Sequence, residues 1–462
     1  MMTRPRALTA LTRFGLGPRP GEMAEIAGDP VGYLYEQLMR SDAAMVTGPD
    51  LKSREELRQE FGIVQSAYVS ARRAVRAGGA GEAELAAEMA AREGRRGLVR
   101  GTTSAEVQAR FDHGRTTDNP FVERLVLFWQ NHFAIERNRG IAVRVTAGNY
   151  EREAIRPHVL GYFEDMLFAA TTHPAMLVYL DNVRSFGPNS RLGKRRGIVS
   201  ANENLAREVL ELHTLGAGGG YSQADVDALA DTLTGWQGGF QRAGSGLVFD
   251  ERVHEPGPRT ILGKRYTAEG DMQLEAVLPD LAAHPSTARF IATKFARHFV
   301  GDDASDALIT ALEKSFIDTE GDLRELAITL IESDEAWEGE PRKTVPPYDF
   351  IVASARATGA ELPAQFVLRS ARVLAQELWQ PPSPAGWPSA DNAFLGGDSL
   401  LERVDFARLL AQRYAKVRRV QRLAVDLFGD ALNPFVKEAL DRAEGQRQAL
   451  VLLLMSPVFH RR

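Results

Sequence analysis

Apolar residues return every three or four positions along most of this chain, which restricts it to helices packed through one face. The clearest case follows Asn119, which fits an N-cap, with Pro120 in the first helical position. Val122, Leu125, Val126, Trp129 and Phe133 then form one core-facing stripe. The same spacing predicts helices over Tyr150 to Ala170, Pro174 to Leu180 and Asn202 to His213. Ser200 and Glu203 read as a capping box for the last of these, and Gly216 as its stop. Ser222 caps another helix through Leu233, and helices resume from Ser286 to the end. The pattern breaks between Gly235 and Tyr266, where Leu247–Phe249 and Thr260–Leu262 suggest strands. The expected fold is mainly α: a large multi-helix assembly with a small β-hairpin insertion near 240–265.

Three segments are expected. Residues 1–118 hold N-terminal helices and a charged helical hairpin from Leu51 to Arg110, either a solvated face or a lid or arm. Residues 119–345 form a motif-bearing helical core carrying the β insertion. Residues 346–462 are C-terminal helices interrupted by a Pro/Gly/Trp loop, Pro381 to Gly397. The 462 residues contain no cysteine, which removes disulfides, thiolate nucleophiles and iron–sulfur clusters. The net charge is −5 with both signs interspersed, so no basic field points to nucleic acid. No run approaches the roughly 20 apolar residues of a membrane span. Met1 to Arg19 lacks a signal-peptide core, so the chain reads as cytoplasmic as written, with export alongside a partner or after loss of a leader left open. Nucleotide and flavin signatures, a zinc helix and a nucleophile elbow are all absent. Gly216–Gly220 follows a helix rather than a strand and reads as a turn.

Chemistry concentrates between Asn202 and His213. At about 100° per residue, Leu205, Val209 and Leu212 share a face, and Asn204, Glu208 and Glu211 lie beside it with Arg207. Carboxylates at a core margin are costly unless paired. Arg207 and Glu211 are four apart and could bridge. Alternatively, Glu208 and Glu211 project into a cavity as an acid/base pair or as ligands for a hard divalent metal. His132 sits beside the Trp129 stripe, where a histidine is either a hydrogen-bonded core residue or a ligand. His254, in a proline-held loop, is a candidate for exposed chemistry. Lys294 and His298 are four apart on a helix buried through Phe290, Ile291, Phe295 and Phe299 and read as snorkelling and a helix-end charge, with Lys294 alone a candidate for holding substrate. Asp181 and Asn182 read as a helix-ending turn.

Several stretches occur together: "ALTRFGLGPRPGE" near the start, "FWQNHF" at 128–133, "HPAMLVYLDN" at 173–182 and "NENLAREVLELHTLG" at 202–216. "GYSQADVDALADTLTGW" at 220–236, "HPSTARFIATKFARHFV" at 284–300 and "GWP" at 386–388 follow. In this order they resemble the bacterial family catalogued as domain of unknown function 1800. The resemblance covers nearly the whole chain and carries no established activity. It implies a co-encoded partner of the sulfatase-like domain of unknown function 1501 family, and many members carry export signals. Many members also have histidine where this chain has Gln130, so a two-histidine metal site on that helix is not expected.

Two functions are expected from these readings. One is an enzyme, a hydrolase or lyase acting on a saccharide or anionic ester. Its catalytic residues would be Glu208, Glu211, His132 and His254, and its substrate would be held by Asn204, Arg207, Lys294 and Trp387. The other is a non-catalytic accessory or scaffold for the sulfatase-like partner. No cofactor is named by the sequence.

Overall fold

The computed structural model describes residues 5–77, 81–240, 248–417 and 419–462. Helices dominate, and the sheet among the described residues is one antiparallel hairpin, Arg259–Ile261 paired with Lys264–Tyr266. Its turn takes positive φ at Leu262 and Gly263 (49° and 78°), as a two-residue hairpin connection demands. Of the run expected as its other strand, Leu247 lies outside the described residues, and Phe249 forms an isolated bridge with Trp236. No described helix is long and apolar enough to cross a membrane.

One hydrophobic cluster runs from Ala7 to Phe459, and residues of all three expected segments contribute to it. Phe14 is fully buried in it, with ring centroids 5.5 Å from Phe121, 5.9 Å from Phe299 and 4.9 Å from Trp337. The charged hairpin, whose sequence predicts a break at Gly78–Gly81, is Arg54–Arg76 followed by Glu82–Thr116, and residues 78–80 of that break lie outside the described residues. Ser53 and Glu56 form a capping box at its start. Leu57 and Phe61 are the residues its first helix buries, so that helix is mostly a solvated face. The second helix docks through Val107 and Phe111.

Three local expectations are corrected. Asn119 precedes helix Pro120–His132, but its side chain does not cap it. The first turn is satisfied instead by Gln37 Oε1, which accepts from Phe121 N–H at 2.8 Å. The helix expected over Tyr150 to Ala170 is not continuous. Ile141–Tyr150 runs into a π-helical turn, Glu151–Ile155, then a short 3₁₀ turn through Pro157, before Phe163–Thr172. Finally, Ser200 and Glu203 do not form a capping box: the helix begins at Asn204, and Glu203 is its uncapping N-cap residue.

The π turn serves a buried ion-pair network. It aligns residues five apart, so Arg156 reaches Glu151 (2.7 Å) as well as Glu123 on the neighbouring helix (2.7 Å). Arg156, Glu123 and Glu151 are each no more than 2% exposed. Glu151 also accepts from Trp379 Nε1 (3.0 Å) and pairs with Arg110 (2.8 Å), while His113 approaches Glu123 at 3.4 Å. Burial alone would raise the Glu123 carboxyl, yet Arg156 and His113 hold it well below the usual carboxylate range. Removing one partner from such a pair leaves an uncompensated buried charge. Arg156→Leu is therefore expected to cost about 3–5 kcal/mol in denaturant unfolding at pH 7. Because the folded pKa of Glu123 is depressed, its stabilisation is present above the ordinary carboxylate range and is lost as pH falls through and below it. The destabilisation by Arg156→Leu should accordingly shrink at pH 3. An equal penalty at pH 7 and pH 3 would contradict this role.

Candidate functional site

The polar helix is Asn204–Glu208, and it continues as a second π-helical turn, Val209–His213. Thr214 Oγ1 closes that turn on the Val209 carbonyl at 2.7 Å. Leu205, Val209, Leu210 and His213 face inward, Glu208, Glu211 and Leu212 are half-buried, and Asn204 is exposed. Arg207 does not bridge Glu211. It pairs with Glu203 (2.7 Å) and donates to Gln223 (2.9 Å), because Glu203 lies one turn earlier on the same outer face. Glu211 accepts from the Tyr221 hydroxyl at 3.3 Å. Glu208 makes no hydrogen bond or ion pair among the described residues. Its carboxyl is raised, first by burial and then by Glu211, with Arg207 opposing.

The histidines lie apart from these carboxylates in the contacts they make. His132 is 2% exposed among the rings of Phe128, Trp129, Phe133 and Phe163. Lys294 Nζ lies 3.0 Å from its Nδ1, and the His213 carbonyl 3.0 Å from its Nε2. An ammonium has no acceptor, so Nδ1 accepts and Nε2 carries the proton. Burial, then the Lys294 and His213 charges, hold His132 well below the usual histidine range. Burial also pushes Lys294 down to about 8. His254, expected in an exposed loop, is 8% exposed, and its Nδ1 lies 2.8 Å from the Thr234 carbonyl. Among the described residues, no three histidine or carboxylate groups are placed to hold a metal ion.

A different set of residues converges on a cleft open to solvent, with a cavity volume of about 80 Å³. One wall is helix Pro120–His132, which supplies Arg124, Gln130 and Asn131, and His298 comes from helix Pro285–Phe299. The opposite rim is the Gly-Trp-Pro loop with Trp387. That loop is pinned by Asn131, whose Oδ1 accepts from Trp387 N–H (2.7 Å) and whose Nδ2 donates to the Trp387 carbonyl (3.1 Å). Gly386 has φ +87°, and a Cβ there would sit 2.4 Å from the Asn131 carbonyl oxygen, so only glycine permits the approach. Two motifs far apart in sequence thus meet at this site.

Cations outnumber carboxylates in the cleft: Arg110, Arg124, Lys343 and Arg462 line it with Asp349 and Glu377, and Arg110 is paired with Glu151 (2.8 Å). Arg124 is tied to Asp349 and to the Gly15 carbonyl, and Lys343 to Asp391 (3.2 Å) and the Ser389 carbonyl (2.6 Å). Arg462 is 2% exposed, yet its Nε and Nη1 have no hydrogen-bond partner among the described residues. His298 Nε2 and the Tyr348 hydroxyl are buried in the same cleft, also without partners. Burial, then Arg462, Arg124, Lys343 and Lys294, hold His298 neutral, well below the usual histidine range. The sequence reading pointed to Trp387 here but not to Arg124, Lys343 or Arg462. An arginine between Val122 and Leu125 on a core-facing stripe was a usable signal. Nothing local marked Lys343 or Arg462.

The assignment for His132 makes a direct prediction. Its ¹⁵N and ¹³C resonances should report one neutral Nε2–H tautomer between pH 5 and 8. A titration midpoint in that window, or the Nδ1–H tautomer, would show that Lys294 does not donate to it.

No curated protein and no solved structure matches the chain. The model of the family described as a protein of unknown function (DUF1800) matches residues 9–461, nearly the whole length, and the chain belongs to that family.

Proposed function

We propose that the protein binds a small anionic ligand in the Trp387 cleft and acts on it as a hydrolase or lyase of an anionic ester. The observation that carries this reading is the buried Arg462 guanidinium, unpartnered at Nε and Nη1, beside the unpartnered Nε2 of His298. Each such orphan costs about 1–3 kcal/mol, and one oxyanion between them would satisfy both. Seating an anion would also offset the cations that suppress His298 protonation, which are Arg462, Arg124, Lys343 and Lys294. The complex would then hold an imidazolium next to the ester oxygen, as a general acid for the leaving group needs. In this reading Lys294 and His132 support the floor of the site and Trp387 covers it. Glu208 and Glu211, with Asn204 and Arg207 beside them and His254 near Thr234, stand outside the proposed chemistry.

The second reading is an accessory role beside a sulfatase-like partner, in which the isolated chain binds no ligand of its own and Arg207, Glu203 and Gln223, which satisfy one another, are a stable outer face. The two readings part on binding by the isolated chain. Sulfate, phosphate and citrate, compared with chloride at constant ionic strength, should raise the melting temperature. The affinity should increase as pH falls from 8 to 6, with proton uptake seen by calorimetry in buffers of different ionisation enthalpy. Arg462→Gln should abolish the stabilisation, and His298→Gln should remove its pH dependence. Stabilisation that persists unchanged in Arg462→Gln would remove the cleft as the binding site.

A further inference from the structure

A second cleft, of about 680 Å³, lies where the long helix Glu82–Thr116 passes the segment 137–144 and helix Ala364–Val373. Half of its lining residues are arginines, and no acidic residue lines it. Arg92, Arg96 and Arg100 recur every four residues on one face of the long helix, a ladder of about 12 Å. Arg95 stands beside them with its guanidinium 4.0 Å from the Tyr68 ring centroid, which fixes its position. Across the cleft, Arg144 and Arg369 are exposed and make no ion pair among the described residues. The nearby carboxylates are few. Glu88 takes Arg92 (3.0 Å), Glu93 takes Arg100 (3.1 Å) and Arg96 (3.9 Å), and Glu377 bridges Arg137 (2.7 Å) and Arg372 (2.8 Å). Like charges gathered this way repel one another, and exposed pairs of this kind return little.

We propose that this cleft binds a linear polyphosphate chain. Every cation in it is an arginine, whose planar fork matches two oxygens of a tetrahedral oxyanion. The guanidinium groups are spread over three elements, so a chain meets more of them than a single ion could. No aromatic residue lines the cleft, which argues against bases stacked from a single-stranded nucleic acid. An acidic peptide would have to desolvate its own amides, whereas a phosphoryl chain carries charge at every link. Thr103, Ser104, Asn138 and Gln365 supply the remaining polar lining. The site shares no lining residue with the Trp387 cleft, although Glu377 of that cleft pairs with Arg137 and Arg372 here, and it does not rest on the function proposed there.

The test is direct binding of long-chain polyphosphate to the full chain, at 50 and 200 mM salt. Polyglutamate, heparin and duplex DNA form the comparison arms. Saturable polyphosphate binding is expected, falling at least about tenfold between the two salt concentrations. Arg95→Gln/Arg144→Gln/Arg369→Gln should weaken it at least about tenfold and lower the salt slope by about 2 to 3. Arg144→Gln/Arg369→Gln, confined to exposed residues, keeps the test intact if the loss of Arg95 disturbs folding. Arg462→Gln should leave polyphosphate binding unchanged. No saturable binding, equal binding by the double variant, or equal or tighter binding of polyglutamate, heparin or DNA would overturn the proposal.

Discussion

The structure depends on Arg156 being neutralised where no water reaches it. Its guanidinium holds Glu123, Glu151 and the Ala44 carbonyl, and through those carboxylates it reaches Arg110, His113 and Trp379. Five parts of the chain therefore share one charge centre: the segment near Ala44, the hairpin helix, helix Pro120–His132, the π turn and the loop at Trp379. A buried pair of this kind gains little over well-packed apolar residues, because desolvation opposes the Coulomb attraction. What it supplies is geometry. Helices packed only by apolar stripes could slide by a turn, but a slide here would strand a carboxylate in the core. The π turn is part of the same device, since Glu151 and Arg156 would lie about 140° apart on a regular α-helix.

Arginine repeats this work at the N-terminal loop. Residues 15–21 have no regular structure, so their carbonyls need other donors. Arg124 donates to the Gly15 carbonyl, and Arg356 to the carbonyls of Gly17, Gly114 and Thr117 while pairing with Glu22. Gly17, at φ +94°, has room for no side chain, because a Cβ would stand 2.9 Å from the Ala353 Cβ. Gly17 and Glu22 of the opening motif are thus explained by contacts to residues more than 300 positions away, Ala353 and Arg356.

The fold was legible in the sequence wherever one face of one helix decided the outcome. The stripe from Val122 to Phe133 and the cap at Ser222 are local facts, and they fold as read. Distant partners were not legible. Gln37 caps the helix that Asn119 should have capped, and no local pattern could nominate it. Wide turns were not legible either. An even step of about 100° per residue gives one helix over Tyr150 to Ala170, and the π turn at Glu151–Ile155 interrupts it. The Trp387 cleft was half legible. Its glycine and tryptophan stand out in the sequence, but its cations come from four separate segments.

The location of unsatisfied groups weighs the two sets of polar residues against each other. Along Glu203–Glu211, Glu203, Arg207 and Glu211 each have a partner, and solvent reaches the half-buried carboxylates. Such a face is stable without a ligand. In the Trp387 cleft, Arg462, His298 and Tyr348 keep buried polar atoms without partners, among cations that repel one another. Apolar residues of similar size would fill the same space more favourably. Local rules broken together in a concave, charged site are the reason for proposing that this cleft, rather than the Glu203–Glu211 face, holds a ligand.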